Sequence, residues 1–355
     1  MTARTPAIAV LCPVRQDCQS GSQDGRSPEQ AAGVHVSPEA AHSAGLWVPP
    51  RIEELGSRTE LRFCDAGSLA SALPGADALF LWDFFSPAVR DAWEYADRLT
   101  WIHVAAAGVD SLMFDDLAVA AVTVTNAQGI FDRPIAEFVL GAVFACAKDF
   151  AGSQELKRQR KWVHRETERV QGAHALVIGT GAIGRETARL LRAVGMTVRG
   201  AGRTARHEDE DFGTVVESAD LARHIGWADH IVNAAPLTPQ TRGLINAEAL
   251  AAMKPGAHLV NIGRGESVDE PSLIEALRHG PLGFASLDVF EEEPLPQDSP
   301  LWDMDNVLIS AHMSGDVLGW RDALAGQFIE NALRWLDDRP LENVVDTAKG
   351  YVPRN

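Results

Sequence analysis

The stretch Ala175–Gly184, ALVIGTGAIG, decides the fold because it joins an apolar strand to a glycine-rich turn, which leads into the helical stretch Arg185–Ala193. In Gly179-Thr180-Gly181-Ala182-Ile183-Gly184, the first glycine permits a tight turn and the second lets the backbone approach a pyrophosphate. The third permits close packing of helix on strand. The unpaired N–H groups that open the helix can bind phosphate oxygens. The stretch predicts a dinucleotide-binding loop, and a plain strand–helix turn is the less specific alternative.

Six short apolar runs, most of them separated by helical segments, predict a doubly wound parallel sheet around this loop. They are Ala175–Gly179, Val198–Gly202, His230–Ala235, His258–Gly263, Phe284–Val289 and Val307–His312.

A second α/β unit is predicted upstream, because strand-like and helical runs alternate there as well. The strand-like runs are Ile8–Val14, Leu61–Cys64, Ala78–Trp82, Trp101–Ala105 and Val122–Thr125, and Pro87–Ala96 is predicted to be a helix. The polar tract 16–45 has no periodicity and predicts a long, partly mobile loop.

The domain boundaries follow from a long proline-free stretch, Ile135–Arg165, which predicts one continuous helix between two domains. The helical stretch Asp322–Leu336 and the segment Val344–Asp346 are expected to return to the first domain. We therefore predict a discontinuous substrate domain, 1–133 with 323–355, and a dinucleotide-binding domain, 134–322.

The amino-acid composition disfavours several classes of function. The 355 residues are 46% hydrophobic, and 32 Lys and Arg against 49 Asp and Glu give a net charge of −17. This charge disfavours nucleic-acid binding, which depends on basic residues. The absence of an apolar run of about 18 residues argues against a membrane span, and the N-terminus lacks the layout of a signal peptide. Four scattered cysteines suggest no metal site and fit a reducing cytoplasm.

The residues after Gly202 bear on the choice of cofactor. NAD-binding loops of this type have an acidic residue about 20 positions beyond the glycines, at the end of the second strand. Here the strand ends in Gly202 and continues Arg203-Thr204-Ala205-Arg206. Arg203 and Arg206 could bind a 2′-phosphate, so we expect a preference for NADP(H). In the alternative, Arg203 stacks on adenine and NAD(H) is accepted as well.

Four polar residues follow the later strands and should share one sheet edge with the glycine loop. Arg264, Asp288 and His312 end or directly follow strands, and Glu293 lies just beyond Asp288. Arginine binds a carboxylate bidentately, histidine exchanges a proton near neutral pH, and a carboxylate orients that histidine. The set predicts hydride transfer to an anionic carbonyl substrate.

Five ordered motifs resemble those of the D-2-hydroxyacid dehydrogenase family, in its glyoxylate/hydroxypyruvate reductase-like branch. They are Gly179–Gly184, Pro236–Thr241, Val260–Gly265, Asp288–Pro294 and Ser310–His312. The resemblance is densest from about 134 to 315. It implies a Rossmann-type cofactor domain, a flavodoxin-like substrate domain and a homodimer.

The resemblance also implies roles for individual residues. Arg264 would bind the substrate, His312 would be the catalytic acid and base, and Glu293 would be its carboxylate partner. The backbone of Ala106, Ala107, Gly108 and Val109 would hold the substrate carboxylate. Further cofactor contacts would be Ala182, Ile183, Ala235, Pro236, Ile262, Gly263, Asp288 and Ser314, besides the three glycines, Arg203 and Thr204.

The resemblance also bears on other functions of this fold. A formate dehydrogenase would be expected to pair the histidine with glutamine, so Glu293 argues against this function. A phosphite-oxidising relative would be expected to carry a lysine in 105–109, and this stretch has none. A phosphoglycerate dehydrogenase-like enzyme stays open. A dinucleotide-sensing, corepressor-like binding protein stays open as well, because such a protein can keep the same three residues. The motifs do not select among glyoxylate, hydroxypyruvate, pyruvate and bulkier 2-oxo acids.

Replacement of His312 by alanine should lower kcat far more than it weakens cofactor binding, because the imidazole is assigned to proton transfer. Steady-state kinetics with a reactive 2-oxo acid, together with a cofactor titration, measure both quantities. Unchanged turnover would contradict the assignment.

Overall fold

The computed structural model describes residues 4–15, 33–347 and 349–352. The chain divides into two units: the first runs to Ile130 and resumes at Leu318, and the second is Phe131–Val317. Each unit is built on its own sheet. In the described part of the chain, every helix is too short or too polar to cross a membrane.

The first unit has a five-stranded sheet in which every pairing is parallel. Its strands are β1 (Ala7–Leu11), β2 (Glu60–Cys64), β3 (Ala78–Leu81), β4 (Trp101–Val104) and β5 (Thr123–Asn126), in the order β2-β1-β3-β4-β5. Every residue of β1 is buried, as expected for a strand covered on both faces. This strand order is the flavodoxin-like one, so the predicted fold of this unit is confirmed.

Five α-helices and two 3-10 helices accompany this sheet. They are α1 (Pro38–Ser43), α2 (Leu69–Ala72), α3 (Ala88–Asp91), α4 (Asp115–Val119) and α11 (Trp320–Leu336), with 3-10 segments at Ile52–Arg58 and Trp93–Tyr95.

Two local predictions for this unit were wrong. The predicted helix Pro87–Ala96 is interrupted, because the backbone at Ala92 leaves the α-helical region and a 3-10 turn follows. The predicted loop 16–45 contains α1, which begins after Ser37, whose hydroxyl accepts a hydrogen bond from the Ala40 N–H. Proline at its first position also favours the helix start. Residues 16–32 of that tract lie outside the described residues.

Helix α11 and the segment after it complete the first unit. Phe328 stacks on Phe80 at 3.7 Å between ring centroids, and Asn331 bonds to both backbone groups of Glu342. Val344 then forms an antiparallel bridge with Thr125 of β5. After α11 the chain thus pairs with the sheet of the first unit.

The second unit has an eight-stranded sheet in the order β13-β12-β11-β10-β6-β7-β9-β8. The strands are β6 (His174–Ile178), β7 (Thr197–Gly202), β8 (Arg206–Asp209), β9 (Gly213–Glu217), β10 (His230–Asn233), β11 (Ala257–Asn261), β12 (Leu282–Leu287) and β13 (Val307–Ile309). Without β8, and read from the opposite edge, the order is β9-β7-β6-β10-β11-β12-β13. The first strand of the unit, β6, thus lies inside the sheet with later strands on both sides, as in the doubly wound dinucleotide-binding sheet. The predicted fold class is confirmed, but the predicted count of six strands was too low. The sequence Arg-His-Glu-Asp of β8 carries no apolar signal, and β8 pairs antiparallel with β9.

The second unit has six α-helices in its described residues, and the prediction of one long helix over Ile135–Arg165 was wrong, because two separate helices occupy that stretch. The six α-helices are α5 (Asp132–Ala147), α6 (Phe150–Arg158), α7 (Ala182–Ala193), α8 (Leu221–Ile225), α9 (Ala247–Ala251) and α10 (Glu270–His279), with 3-10 segments at Ser218–Asp220, Gly265–Ser267 and Pro300–Asp303. The chain breaks at Asp149, which adopts a left-handed φ of 47° and accepts a hydrogen bond from the Gly152 N–H. A side chain that caps a new helix can end the previous one without proline.

A pair of buried histidines lies toward the amino ends of β10 and β11, away from the glycine loop. The Nδ1 atoms of His230 and His258 are 3.1 Å apart, and His258 Nε2 lies 3.0 Å from Ser286 Oγ. Burial lowers the pKa of His230 from 6.5 to about 4. Burial, and then the charge of His230, lowers the pKa of His258 well below 6.5. Both rings are therefore neutral in the folded protein at neutral pH.

This pair predicts a loss of stability in acid. The unfolded chain binds protons at these histidines below pH 6.5, whereas folded His230 does so only near pH 4. The free energy of unfolding should therefore fall as the pH drops through this window. Urea unfolding from pH 7.5 to 4.5 should show a flatter pH dependence in the double variant His230→Gln/His258→Gln. The control His279→Gln, at an exposed position, should keep the wild-type slope, and equal slopes in all three proteins would refute the account.

Candidate active site

The glycine loop between β6 and α7 is packed on one side and open on the other. A Cβ at Gly179 (φ 97°) would lie 2.6 Å from the Ala234 carbonyl, and a Cβ at Gly184 would lie 1.9 Å from the Gly179 oxygen. A Cβ at Gly181 would meet no atom within 4 Å. The first and third glycines therefore allow close packing, and the second faces space that a ligand can enter.

Helix α7 begins directly at this loop. Gly181 is the residue before the helix, and no side chain caps its first turn. The first N–H groups of a helix have no partner within the helix, so they can bind an anion. Ala182 and Ile183, two of the proposed cofactor contacts, lie in this turn. The open space and the uncapped turn together fit the pyrophosphate of a dinucleotide.

Two arginines follow the end of β7, as the sequence predicts. Arg206 donates a hydrogen bond to Thr180 Oγ1 of the glycine loop at 3.2 Å. A Cβ at Gly202 would itself lie 3.1 Å from that hydroxyl, so the end of β7 lies against the loop. Arg203 and Thr204 are exposed residues between Gly202 and Arg206.

The structure also brings a carboxylate to this place that the sequence reasoning missed. Asp209, at the end of β8, pairs with Arg206 at 3.3 Å and with both terminal nitrogens of Arg185 at 2.8 and 3.0 Å. The hydrogen bond from Arg185 holds the pKa of the Asp209 carboxyl well below its usual range, against the opposing effect of burial. Asp209 is thus an ionised carboxylate already paired with two guanidinium groups. Its place depends on the pairing of β8 with β9, which the sequence pattern did not show.

The turn after β11 presents Arg264. One terminal nitrogen of its guanidinium, Nη1, donates to the Gly263 carbonyl at 2.8 Å. The next residue is Gly265, where a Cβ would lie 1.8 Å from the backbone carbon of Phe290. Only glycine permits this approach, which places the Arg264 turn directly against the backbone that leads to Glu293.

His312 and Glu293 form a hydrogen-bonded pair. His312 Nδ1 lies 2.7 Å from Glu293 Oε2, and Glu293 Oε1 accepts a hydrogen bond from the Phe290 N–H at 3.0 Å. Burial raises the pKa of the Glu293 carboxyl. The hydrogen bonds from His312 and Phe290, helped by the charges of His312 and Arg264, outweigh that effect, so its pKa lies below the ordinary value. The pair is therefore an imidazole held by an ionised carboxylate, with Nε2 as the remaining ring nitrogen.

Asp288 holds the backbone of the histidine. His312 has a left-handed φ of 52°, a conformation that costs free energy in a residue with a side chain. Its N–H donates to the Asp288 carbonyl, and the Asp288 carboxylate accepts from the N–H groups of Met313 and Ser314 at 2.9–3.1 Å. Both side-chain oxygens of Asp288, proposed as a cofactor contact, thus bond to the turn that carries His312.

The remaining proposed cofactor contacts follow carboxyl ends of strands in the same unit. Ala235 and Pro236 follow β10, Ile262 and Gly263 follow β11, and Ser314 follows β13. A Cβ at Gly263 would lie 2.8 Å from the Ala235 oxygen, so two of these turns are in direct contact.

The proposed substrate loop Ala106–Val109 belongs to the first unit, where it follows β4. The Ala106 carbonyl accepts a hydrogen bond from the Ala127 N–H at 2.9 Å, and the Ala107 carbonyl accepts one from Asn126 Nδ2 at 2.6 Å. The last residue of β5, Asn126, and the next residue, Ala127, therefore fix the backbone of this loop.

Comparison with known proteins shows the family of the chain. Residues 140–314 match the family model described as D-isomer specific 2-hydroxyacid dehydrogenase, NAD binding domain. A glyoxylate reductase of Korarchaeum cryptofilum is 30% identical over 253 residues, which cover 70% of this chain and 76% of that protein.

Two solved structures are similar over nearly the whole chain. A D-isomer specific 2-hydroxyacid dehydrogenase of Xanthobacter autotrophicus, in complex with NADPH and MES, is 30% identical, with a TM-score of 0.73 and coverage of 98% of this chain and 100% of that one. An NADPH-dependent glyoxylate/hydroxypyruvate reductase of Sinorhizobium meliloti, in complex with NADP and sulfate, is 26% identical. Its TM-score is 0.74, with the same two coverages.

This chain belongs to the D-isomer-specific 2-hydroxyacid dehydrogenase family, as the motifs predicted, and is an NAD(P)-dependent oxidoreductase.

The glycine loop offers a matched pair of substitutions. Gly184→Ala should destabilise the protein by about 2–3 kcal/mol, because the new Cβ would overlap a backbone oxygen that cannot move away. Gly181→Ala should change stability by less than about 0.5 kcal/mol, but should weaken NADPH binding by at least about tenfold, because its methyl group enters the pyrophosphate space. Urea unfolding and NADPH fluorescence titration measure the two effects. Wild-type NADPH affinity in Gly181→Ala would place the cofactor elsewhere.

Proposed function

We propose that this protein reduces small 2-oxo acids to D-2-hydroxy acids, with His312 as the proton donor and NADPH as the preferred reductant. The observation that carries this proposal is the 2.7 Å contact between His312 Nδ1 and Glu293 Oε2. The neighbouring turn presents Arg264, whose positive charge contributes to lowering the pKa of Glu293. An acid, its carboxylate partner and an anion-binding guanidinium thus belong to one group beside the glycine loop.

His312 and Glu293 would handle the proton. Because Nδ1 is occupied by Glu293, Nε2 is the nitrogen that gives its proton to the substrate carbonyl oxygen. The Glu293 carboxylate stabilises the imidazolium before the transfer and keeps the ring in one orientation. In the oxidative direction the same nitrogen takes the proton back from the 2-hydroxyl group.

Arg264 would bind the carboxylate of the 2-oxo acid and polarise its carbonyl group. A guanidinium matches a carboxylate with two parallel N–H···O bonds, which fixes the orientation of the substrate as well as its charge. A bound nicotinamide cofactor would supply or accept the hydride at carbon 2. Positioning by the protein then provides much of the rate enhancement.

The preference for NADPH rests on the charges after β7. Gly202 leaves no carboxylate at the strand end, and Arg206 is held beside the glycine loop by Thr180 and Asp209. Asp209 also pairs with Arg185, which is shared with Asp211, and Asp211 pairs with Arg189 in turn. Three arginines thus face the two carboxylates, so Asp209 should not repel a 2′-phosphate. The two similar solved structures contain NADPH or NADP, which supports the same assignment.

Small substrates are favoured by the names of the relatives. The Korarchaeum cryptofilum protein is named a glyoxylate reductase, and the Sinorhizobium meliloti protein a glyoxylate/hydroxypyruvate reductase. We therefore place glyoxylate and hydroxypyruvate first among the candidate substrates, ahead of pyruvate and bulkier 2-oxo acids.

Oxidation of NADPH and NADH, followed by absorbance against glyoxylate, hydroxypyruvate, pyruvate and bulkier 2-oxo acids, tests the proposal. At least one acid should be reduced, with a higher kcat/KM for NADPH. Arg206→Gln should lower kcat/KM for NADPH about tenfold, which corresponds to the loss of one charged contact to the phosphate, and change the NADH value less than twofold.

Two outcomes would contradict parts of the proposal. Tight NADPH binding without turnover on any acid would indicate a dinucleotide-sensing protein. Turnover with a higher kcat/KM for NADH would leave the reaction in place and overturn the cofactor assignment.

A further inference from the structure

Three buried polar side chains lie behind the Arg264 turn and are not used by the proposed chemistry. Asn233 is the last residue of β10, Asn261 is the last residue of β11, and Ser267 ends the 3-10 segment after Arg264. Asn233 and Ser267 are 0% exposed and Asn261 is 1% exposed. Buried strand ends are usually apolar, because a buried polar group is costly unless it is hydrogen-bonded.

The three side chains bond to one another. Asn233 Nδ2 donates to Asn261 Oδ1 at 2.9 Å and to Ser267 Oγ at 2.6 Å. β10 and β11 are in register, so Asn233 and Asn261 are direct neighbours across the sheet. We call this group the Asn–Asn–Ser cluster.

The same side chains also form hydrogen bonds with the backbone of the Arg264 turn and of the turn that contains Ala235. The Arg264 carbonyl accepts from Asn261 Nδ2 at 3.2 Å and from Ser267 Oγ at 2.5 Å. The Gly263 N–H donates to Asn261 Oδ1 at 3.2 Å, and the Ala235 N–H donates to Asn233 Oδ1 at 3.3 Å. Each of the three side chains thus forms a hydrogen bond with the backbone of a turn at the carboxyl edge of the sheet.

These hydrogen bonds restrict the backbone at Arg264. The Arg264 carbonyl accepts from three donors, the Asn261 amide, the Ser267 hydroxyl and the Ser267 N–H at 3.3 Å. The close approach of Gly265 to the Phe290 backbone limits the turn on the other side. The backbone from which the Arg264 side chain extends is therefore fixed before substrate arrives. A fully satisfied buried network rigidifies its surroundings, and small errors in substrate position cost large factors in rate.

We propose that the Asn–Asn–Ser cluster positions Arg264, so that Asn233, Asn261 and Ser267 are positioning residues for substrate binding. The inference rests on the proposed function, in which Arg264 binds the substrate carboxylate. Because the cluster also bonds to the Ala235 turn, it links the proposed cofactor edge to the proposed substrate arginine.

Ser267→Ala is the sharpest test, because it removes one donor to the Arg264 carbonyl and changes little volume. It should raise KM for the reactive 2-oxo acid about tenfold and change kcat less, as expected for a guanidinium that is present but poorly aimed. Oxalate, a non-reacting dianion, should bind about tenfold more weakly by calorimetry in the presence of NADP. The Kd for NADPH should stay within about twofold.

A control and a graded variant separate positioning from general loss of stability. Ser286→Ala also removes a buried, hydrogen-bonded serine, but that serine bonds to His258 and not to the Arg264 turn. It should lower stability without changing KM or oxalate affinity. Ser267→Cys keeps a weak donor of similar size, so its KM and oxalate Kd should fall between those of wild type and Ser267→Ala. This variant keeps the test decisive if the alanine variant folds poorly.

Arg264→Gln, alone and combined with Ser267→Ala, separates this inference from the proposed function. If Ser267 acts through Arg264, the serine substitution should add less than about twofold to oxalate Kd in the Arg264→Gln background. Equal effects of Ser267→Ala in both backgrounds, or wild-type KM in Ser267→Ala, would overturn the positioning role alone. Wild-type oxalate affinity in Arg264→Gln would instead show that the proposed role of Arg264 is wrong.

Discussion

The common direction of the parallel strands is the constraint on which the candidate site depends. Carboxyl ends of parallel strands lie along one edge of a sheet, so residues far apart in the sequence meet there. The glycine loop follows β6, Arg264 follows β11, Glu293 lies beyond β12 and His312 lies beyond β13. The topology thus brings His312 and Glu293 to the same edge of the sheet, and local hydrogen bonds in the turns set the 2.7 Å contact between them. The chemistry is then added in the turns.

The turns themselves are held mainly by hydrogen bonds between side chains and backbone. Asp288 bonds to three consecutive residues that include His312, and thereby offsets the cost of the left-handed conformation there. Asn261 and Ser267 donate hydrogen bonds to the backbone carbonyl of Arg264. Backbone polar groups near a sheet edge must be satisfied somewhere. In this protein, buried side chains satisfy several of them and at the same time fix the residues proposed to react.

The sequence was sufficient for features that depend on periodicity and local chemistry, and insufficient where distant pairing decides. The glycine-rich turn after β6 and the parallel sheets could be predicted, because glycine spacing and apolar runs encode them directly. The break at Asp149 could not, since it depends on a side chain that caps the next helix instead of continuing the previous one. The hairpin of β8 and β9 was missed because β8 is polar throughout and β9 has only two apolar residues, Val215 and Val216. Asp209 was missed with it, because only the fold brings Arg185 and Arg206 to this carboxylate.

The polar character of β8 has a consequence for the behaviour of the protein at high concentration. An outer strand exposes unpaired backbone groups on which another sheet can grow, and charged side chains or short length on such strands oppose this growth. One border of the larger sheet is β8, with the sequence Arg-His-Glu-Asp, and the other is β13, which has only three residues. Both borders therefore resist the addition of a further strand, and the net charge of −17 adds a general repulsion between copies. Aggregation by sheet extension is disfavoured at both ends, so self-association is more readily accommodated on helices or loops.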